Sequence, residues 1–326
     1  MKLFICHESA LEYWRQRRAL PENSADRRCR VVLPKGATPV ASLALSGLEV
    51  PVHILLARPG NRRKPTIETQ HVYSGETPIG SFMNVGEDFG VSSPEFCFLQ
   101  MAERLTLIEL VELGYELCGV YSLPLLGDKN VPKKGFYNRQ ALTSAKKLEA
   151  FLESTKGARG HKKAERALRY LLDGSASPME TKLAIFLTLP YKLGGFGFSP
   201  PKLNRQVKLV KSARKYFKKD YYVCDLFWPE TKTAVEYDSD FCHTGSERIA
   251  DDSNRRSALN LMGVNVVSVT RQQLFSPVGF EGVVRVISKH LEKRLRFEEN
   301  SFAAEHRKLR NQLLSVYYET PTFLIP

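Results

Sequence analysis

Tyr221-Tyr222-Val223-Cys224-Asp225-Leu226-Phe227-Trp228, then Pro229-Glu230-Thr231-Lys232, then Thr233-Ala234-Val235-Glu236-Tyr237-Asp238 reads as two strands joined by a turn. The first run is apolar, aromatic or β-branched on both faces, so Asp225 is a carboxylate inside an otherwise buried strand, and an unpartnered buried carboxylate is costly. In the second run, alternation puts Glu236 and Asp238 on one face and Val235 and Tyr237 on the other. If the strands form a hairpin, three carboxylates meet on one side. Like charges at that spacing repel unless a cation sits among them, and a hard divalent ion with oxygen ligands is the usual solution. Magnesium is the natural candidate. A lone Glu-x-Asp is more often a solvated surface hairpin, but the apolar setting of Asp225 argues against that here.

Working outward, Ser239-Asp240-Phe241-Cys242-His243 leads into Thr244-Gly245-Ser246-Glu247. Ser246 is a candidate N-cap, and the helix it opens runs to about Met262 and stops at Gly263. Asp252 and Arg255 are neighbours on one face of that helix. A surface ion pair of this kind is ordinarily worth little. The β-branched run Val264–Thr270 then reads as a buried core strand.

The order Asp225-Leu-Phe-Trp-Pro-Glu, Ala-Val-Glu236-Tyr-Asp238, His243, Asp252-x-x-Arg255, Ala258-Leu259, Gly263-Val-Asn-Val-Val and Thr270-Arg-Gln-Gln-Leu274 resembles a bacterial domain family. That family is related to the very-short-patch-repair (Vsr) endonucleases of the PD-(D/E)XK, restriction-endonuclease-like superfamily. The resemblance spans about fifty residues. Upstream, Ser177-Pro178-Met179-Glu180 is similar to the family's Ser-Pro-Leu-Glu helix start, and Gln206 also matches a family position, although Ser-Pro-x-Glu is equally a generic helix N-terminus. Ser239 stands where the family commonly has Gly, and Cys242 where it has the first of two histidines. The resemblance implies Asp225 and Glu236 as principal metal ligands, Asp238 as a further ligand, Glu180 as a supporting acid, and Asp252 with Arg255 ordering the site or contacting phosphate. His243 would act as general base or acid. Taken alone, His243 reads equally well as a solvated or loop-capping residue.

The amino-terminal half carries less chemistry. Glu8–Arg15 reads as a short amphipathic helix. The segments Cys29–Leu33, Val52–Ala57, Ile67–Tyr73 and Ser81–Val85 read as short strands, and one long helix is expected from Ser93-Pro94-Glu95 through Leu105 to Tyr115. In position and pattern this half is similar to AbiEi-type antitoxins of abortive-infection systems, without their Arg-Thr in the long helix. Lys129 to Gly160 is rich in Lys, Arg and Gly, which places the boundary near residue 155. The expected division is therefore an AbiEi-like α+β domain over 1–155, a Vsr-like endonuclease domain over 156–296, and a helical tail over 297–326 whose role the sequence does not reveal. The fold class expected is α/β, α+β overall: a restriction-endonuclease-like domain with a central mixed β-sheet flanked by helices, after a smaller α+β domain.

Composition agrees with a two-domain chain of 326 residues, 43% of them hydrophobic. A net charge of +13 points to a polyanionic partner. The charge concentrates in Lys202, Arg205, Lys208, Lys211, Arg214, Lys215, Lys218 and Lys219, an acid-free run directly before the Asp225 strand. A basic run is commonly only a solvated face, yet this one would rim the acidic site with phosphate-attracting groups. Six cysteines without a Cys-x-x-Cys pair read as reduced thiols in cytoplasm. Cys242-His243 offers half of a zinc site, but no second pair at ligand spacing accompanies it, so structural zinc is not expected. The opening Met1–Cys6 is cut short by His7-Glu8 and is no signal peptide, and no apolar run is long enough to span a bilayer. Gly194-Gly195-Phe196-Gly197 lacks the Lys-Ser/Thr of a phosphate loop and reads as a flexible connector. The expected function is a magnesium-dependent endonuclease, with manganese able to substitute, acting on nucleic acid, DNA before RNA, in a defence context. Two alternatives stand beside it: a non-catalytic nucleic-acid-binding regulator of antitoxin type, and an RNA-directed member of the same fold.

Overall fold

The computed structural model describes residues 3–20, 31–34, 48–49, 51–58, 67–74, 76–85, 89–124, 135–217, 219–238, 246–295 and 300–318. The chain divides into two compact units, Met1–Asp173 and Gly174–Pro326. Both combine helices with a mixed sheet, an α+β architecture.

In the first unit, β1 (Leu3–Ile5) runs into α1 (His7–Arg15), followed by β2 (Val52–Leu56), β3 (Glu68–Val72), β4 (Phe82–Asn84) and β5 (Phe89–Ser92). The helices α2 (Pro94–Met101), α3 (Leu107–Cys118), α4 (Ala145–Glu153) and α5 (His161–Leu168) complete it. The strand order is β3-β2-β1-β5-β4, with β1 antiparallel to β2 and parallel to β5, and β2 parallel to β3. Leu3, Val52, Ile54 and Leu56 form one buried cluster. Phe4, of opposite parity, packs on Phe82, which meets Phe96 of α2. Behind the helices, Glu116 is buried and held by two hydrogen bonds from Arg15 at 2.9 and 2.7 Å.

Several expectations change here. Residues 31–34 form no strand, while Leu3–Ile5 and Phe89–Ser92 do. The long helix is two helices, because Thr106 and Glu109 make a capping box: the Thr106 side chain accepts from the Glu109 N–H, and the Glu109 carboxylate accepts from the Thr106 N–H. The division at residue 173 lies beyond the boundary expected near 155, and the basic helix α5 packs on α3 and α4 in the first unit.

The second unit starts with α6 (Pro178–Thr188), capped by Ser177 with Pro178 in the first turn. Then come β6 (Lys202–Lys208), the one-turn α7 (Lys211–Arg214), β7 (Tyr221–Trp228), β8 (Thr233–Asp238), α8 (Ser246–Leu261) and β9 (Asn265–Thr270). The helices α9 (Arg271–Phe275), α10 (Pro277–His290) and α11 (Asn300–Tyr318) close it. The order β6-β7-β8-β9 is antiparallel except for β8 and β9, which are parallel and joined through α8. Tyr222, Cys224 and Ala234 of the sheet pack with Ala258 and Leu259 of α8, and Gly263 ends that helix in the left-handed conformation. The acid-bearing β8 is thus central. By contrast β9, expected as a core strand, lies at the edge with only Val269 fully buried. Among the described residues no helix is long and apolar enough to cross a membrane.

Gly194–Gly197 is no flexible connector. A Cβ on Gly195 would meet the Leu189 carbonyl oxygen at 2.2 Å, and Phe196 is buried against Phe280 and Phe302. Nor is the last helix a free tail. Phe302, Leu309, Leu313 and Leu314 of α11 are buried, and Arg310 donates to the carbonyls of Leu274 and Phe275 at the end of α9. Leu314→Ala is therefore expected to cost the second unit about 2–5 kcal/mol. In urea unfolding followed by circular dichroism, an unchanged midpoint would show that α11 contributes nothing to this core.

Candidate functional site

The pairing of β7 with β8 stops at Leu226–Val235, one step short of Asp225 and Glu236. On the other side, the β6–β7 ladder skips the Asn204–Asp225 pair, and Asn204 takes a left-handed φ of 46°. The sheet is distorted at this point from both edges. Where the ladder stops, side chains replace it: Asp225 Oδ2 accepts the Tyr237 N–H at 2.8 Å, and the Glu236 carboxylate draws on the Asp225 N–H. The two acids are thereby locked to each other's strands.

Glu236 is buried and forms an ion pair with Arg255 of α8, Nη2 to Oε2, at 2.5 Å. The same guanidinium donates to the Val223 carbonyl. The helical spacing names Asp252 as the neighbour of Arg255 and does not name Glu236, the carboxylate it pairs with here. The other carboxylate oxygen, Oε1, is buried without a well-formed hydrogen bond. Glu180, in the first turn of α6, accepts from the Ala176 N–H at 3.0 Å and from Asn204 Nδ2 at 2.7 Å. Asn204 Nδ2 also donates to the Gly174 carbonyl.

Burial, then the neighbouring Glu236 and Glu180 charges, push the Asp225 carboxyl well above its usual range. Burial raises Glu236 as well, although Arg255, the Cys224 thiol and the Asp225 N–H favour its charged form. Burial, then Glu236, lifts the Cys224 thiol to about 12, so this cysteine is a neutral neighbour. Burial works against the Arg255 charge, but Glu236 and Asp225 outweigh it and raise the guanidinium further. One cation thus faces two carboxylates that both resist ionising.

Of the residues expected at the site, Asp225, Glu236, Arg255 and Glu180 come together. Asp238 is half-buried on β8 opposite Thr270, and it does not join Asp225 and Glu236 in a group of three donor atoms within 4.8 Å of one another. Asp225 and Glu236 are each held by a backbone N–H of the other's strand, and Asp238 follows two residues after Glu236 on β8. His243, and the side chain of Asp252, lie outside the described residues. Asn204 was missed. Its signal is an asparagine within a strand-like run, since Asn tolerates the left-handed region.

The pair fits magnesium by its chemistry. Both groups offer hard oxygen, Glu236 Oε1 makes no well-formed hydrogen bond, and magnesium is commonly bound through one or two carboxylates while keeping water.

The basic run lies on the sheet edge. Lys202, Arg205 and Lys208 of β6 and Lys211, Arg214, Lys215 and Lys219 beyond it are exposed, while Lys218 lies outside the described residues. Arg214 is partly neutralised by Asp220 at 3.3 Å. Tyr216 and Tyr221, 70% and 44% exposed, stand within this segment, and sequence reasoning passed over them although aromatic residues among cations are a recognisable pattern.

No family model, curated protein or solved structure matches this chain.

Because both carboxyls titrate above their unfolded values, the metal-free protein loses stability as pH rises from the ordinary carboxylate range through the folded values. Asp225→Asn keeps the acceptor for the Tyr237 N–H and removes one charge. It is expected to raise the melting temperature in EDTA at pH 7–8, with the gain vanishing below about pH 4. A melting temperature lowered at neutral pH would contradict the raised carboxyl.

Proposed function

We propose that this protein is a divalent-metal-dependent endonuclease acting on DNA. The observation that carries the reading is the buried Asp225–Glu236 pair at a break in the sheet, with the exposed cationic edge strand β6 paired directly to the Asp225 strand β7. The resemblance to Vsr-like domains, read from the same residues, supports it.

Asp225 and Glu236 would hold the ion. When bound, magnesium supplies Lewis-acid polarisation of a phosphodiester and a lowered pKa for water. The chain's own residues do the rest. Arg255 favours the charged form of Glu236 against burial and holds the carboxylate in place. Glu180, fixed by Asn204, adds negative charge near Asp225 and favours a cation there. The Lys and Arg side chains of β6 and α7 attract the phosphate backbone by counterion release, and Tyr216 and Tyr221 offer faces for exposed bases.

A second reading, a nucleic-acid-binding regulator without cleavage, is favoured by one observation: Arg255 already occupies Glu236 Oε2, so a cation is not required to neutralise that acid. Purified protein incubated with supercoiled plasmid, single-stranded DNA and RNA, with magnesium or manganese, separates the two. The nuclease reading expects metal-dependent cutting of DNA, reduced to background in Asp225→Ala and Glu236→Ala. Binding without cutting of any substrate would leave the regulator, and cutting of RNA alone the RNA-directed member. In both cases, replacing Lys208, Lys211 and Lys215 by Ala is expected to lower the slope of log affinity against log salt by about 0.9 for each phosphate that is no longer neutralised.

A further inference from the structure

The first unit holds a second convergence of donor atoms, independent of the acids above. The parallel pairing of β2 and β3 sets Leu55 opposite His71, so His53 and His71 share one face of the sheet. The turn from β1 into α1 brings Cys6, His7 and Glu8 to that face, where the His53 N–H donates to Ser9 Oγ and the Cys6 N–H to the His53 carbonyl. Glu8 Oε2 lies 2.7 Å from His53 Nδ1, and His53 Nδ1 lies 3.1 Å from His71 Nε2. All three donor atoms fall within 4.8 Å of one another.

Hydrogen bonding satisfies this arrangement poorly. One imidazole nitrogen has either one proton or one lone pair, and a carboxylate oxygen only accepts. His53 Nδ1 cannot donate to Glu8 and also accept from His71. Glu8 Oε2 is close to His53 Nδ1 but outside good hydrogen-bond geometry, so the short contact is electrostatic more than a well-aligned bond. A cation among the three atoms would use all of them at once.

His7 adds a separate observation. It is 4% exposed, its Nδ1 has no hydrogen-bond partner, and its ring stacks on His71 at 3.7 Å. Its backbone is left-handed, with a φ of 48°, a strained conformation for a non-glycine residue and one that holds the ring over the cluster. Its donor atom lies within 4.8 Å of those of Cys6 and His71.

We propose that Glu8, His53 and His71 form a binding site for a borderline divalent transition metal, zinc foremost. Two imidazoles and a carboxylate suit zinc or its neighbours better than magnesium or calcium. Tetrahedral ligands at 2.0–2.2 Å from zinc lie about 3.4 Å apart, so the 2.7 Å Glu8–His53 and 3.1 Å His53–His71 separations would open by about 0.7 and about 0.3 Å. Arg104 pairs with Glu8 Oε1 and orients the carboxylate from behind, the role outer partners play at metal sites. The Glu8 side chain is 38% exposed while its Oε2 is buried, which places the site just beneath the surface, and three protein ligands leave a position for water or a small ligand. Bound there, the metal ties α1 to β2 and β3.

The test uses the full chain, stripped with EDTA and titrated with zinc against a chromophoric chelator. The expected result is one equivalent per chain, a higher melting temperature, and affinity lowered at least about 100-fold in His53→Gln and His71→Gln. Glu281→Gln, on the exposed face of α10, should bind zinc as the wild type does. Cobalt in place of zinc should give visible absorption without a thiolate charge-transfer band. No stoichiometric binding, equal affinity in His71→Gln, or a thiolate band from Cys6 or Cys242 would overturn the proposal. If the histidine variants fail to fold by circular dichroism, Glu8→Gln at the solvent edge decides: loss of the cobalt spectrum supports the site, and an unchanged spectrum refutes it.

Discussion

Two carboxylates buried side by side against one guanidinium set the terms for the second unit. Taking a charge out of water is costly, and a single Arg255 offsets only part of the cost for Asp225 and Glu236. The remainder falls on the backbone. The strands separate just where the acids stand, and each acid takes over an N–H that a regular ladder would have used. Nearby structure follows from that constraint. α8 has to run where Arg255 can reach Glu236, and its alanine and leucine positions seat it on Tyr222, Cys224 and Ala234 at the matching height.

The first unit meets the cost of buried charge differently. Glu116 and Arg15 are joined by two parallel hydrogen bonds, and the remaining carboxylate capacity goes to the Leu123 N–H. Burial alone would raise Glu116, but Arg15 outweighs it and brings the carboxyl below its ordinary range. That pair is satisfied and needs nothing further. The Asp225–Glu236 pair and the Glu8–His53–His71 group are not, which is why both invite a cation while Glu116 does not.

Local patterns were readable wherever chemistry and geometry are both local. The alternation in Thr233–Asp238, the apolar run around Asp225, the helix ending at Gly263 and the Ser177 cap all follow from neighbours within a few residues. The Thr106-x-x-Glu109 box was equally local and was passed over because the apolar spacing continues across it. Other features depend on contacts between distant segments. Glu8, His53 and His71 have no common spacing, and only the register of β2 against β3 brings them together. The glycines at 194–197 look flexible until Leu189 and α11 crowd them. The Arg255–Glu236 contact joins α8 to β8 across 19 residues, and no spacing in the sequence announces it.

Asn204 meets two demands with one side chain. Its backbone is left-handed, which glycine tolerates best, and its amide donates to both Glu180 and Gly174, which glycine lacks. Aspartate accepts the same backbone but would set a third negative charge against Glu180. Drift along β6 is thus free at the exposed lysines, where one cation can replace another, and closed at this asparagine. The most constrained position of the strand is one that touches neither the solvent-facing charges nor the apolar core.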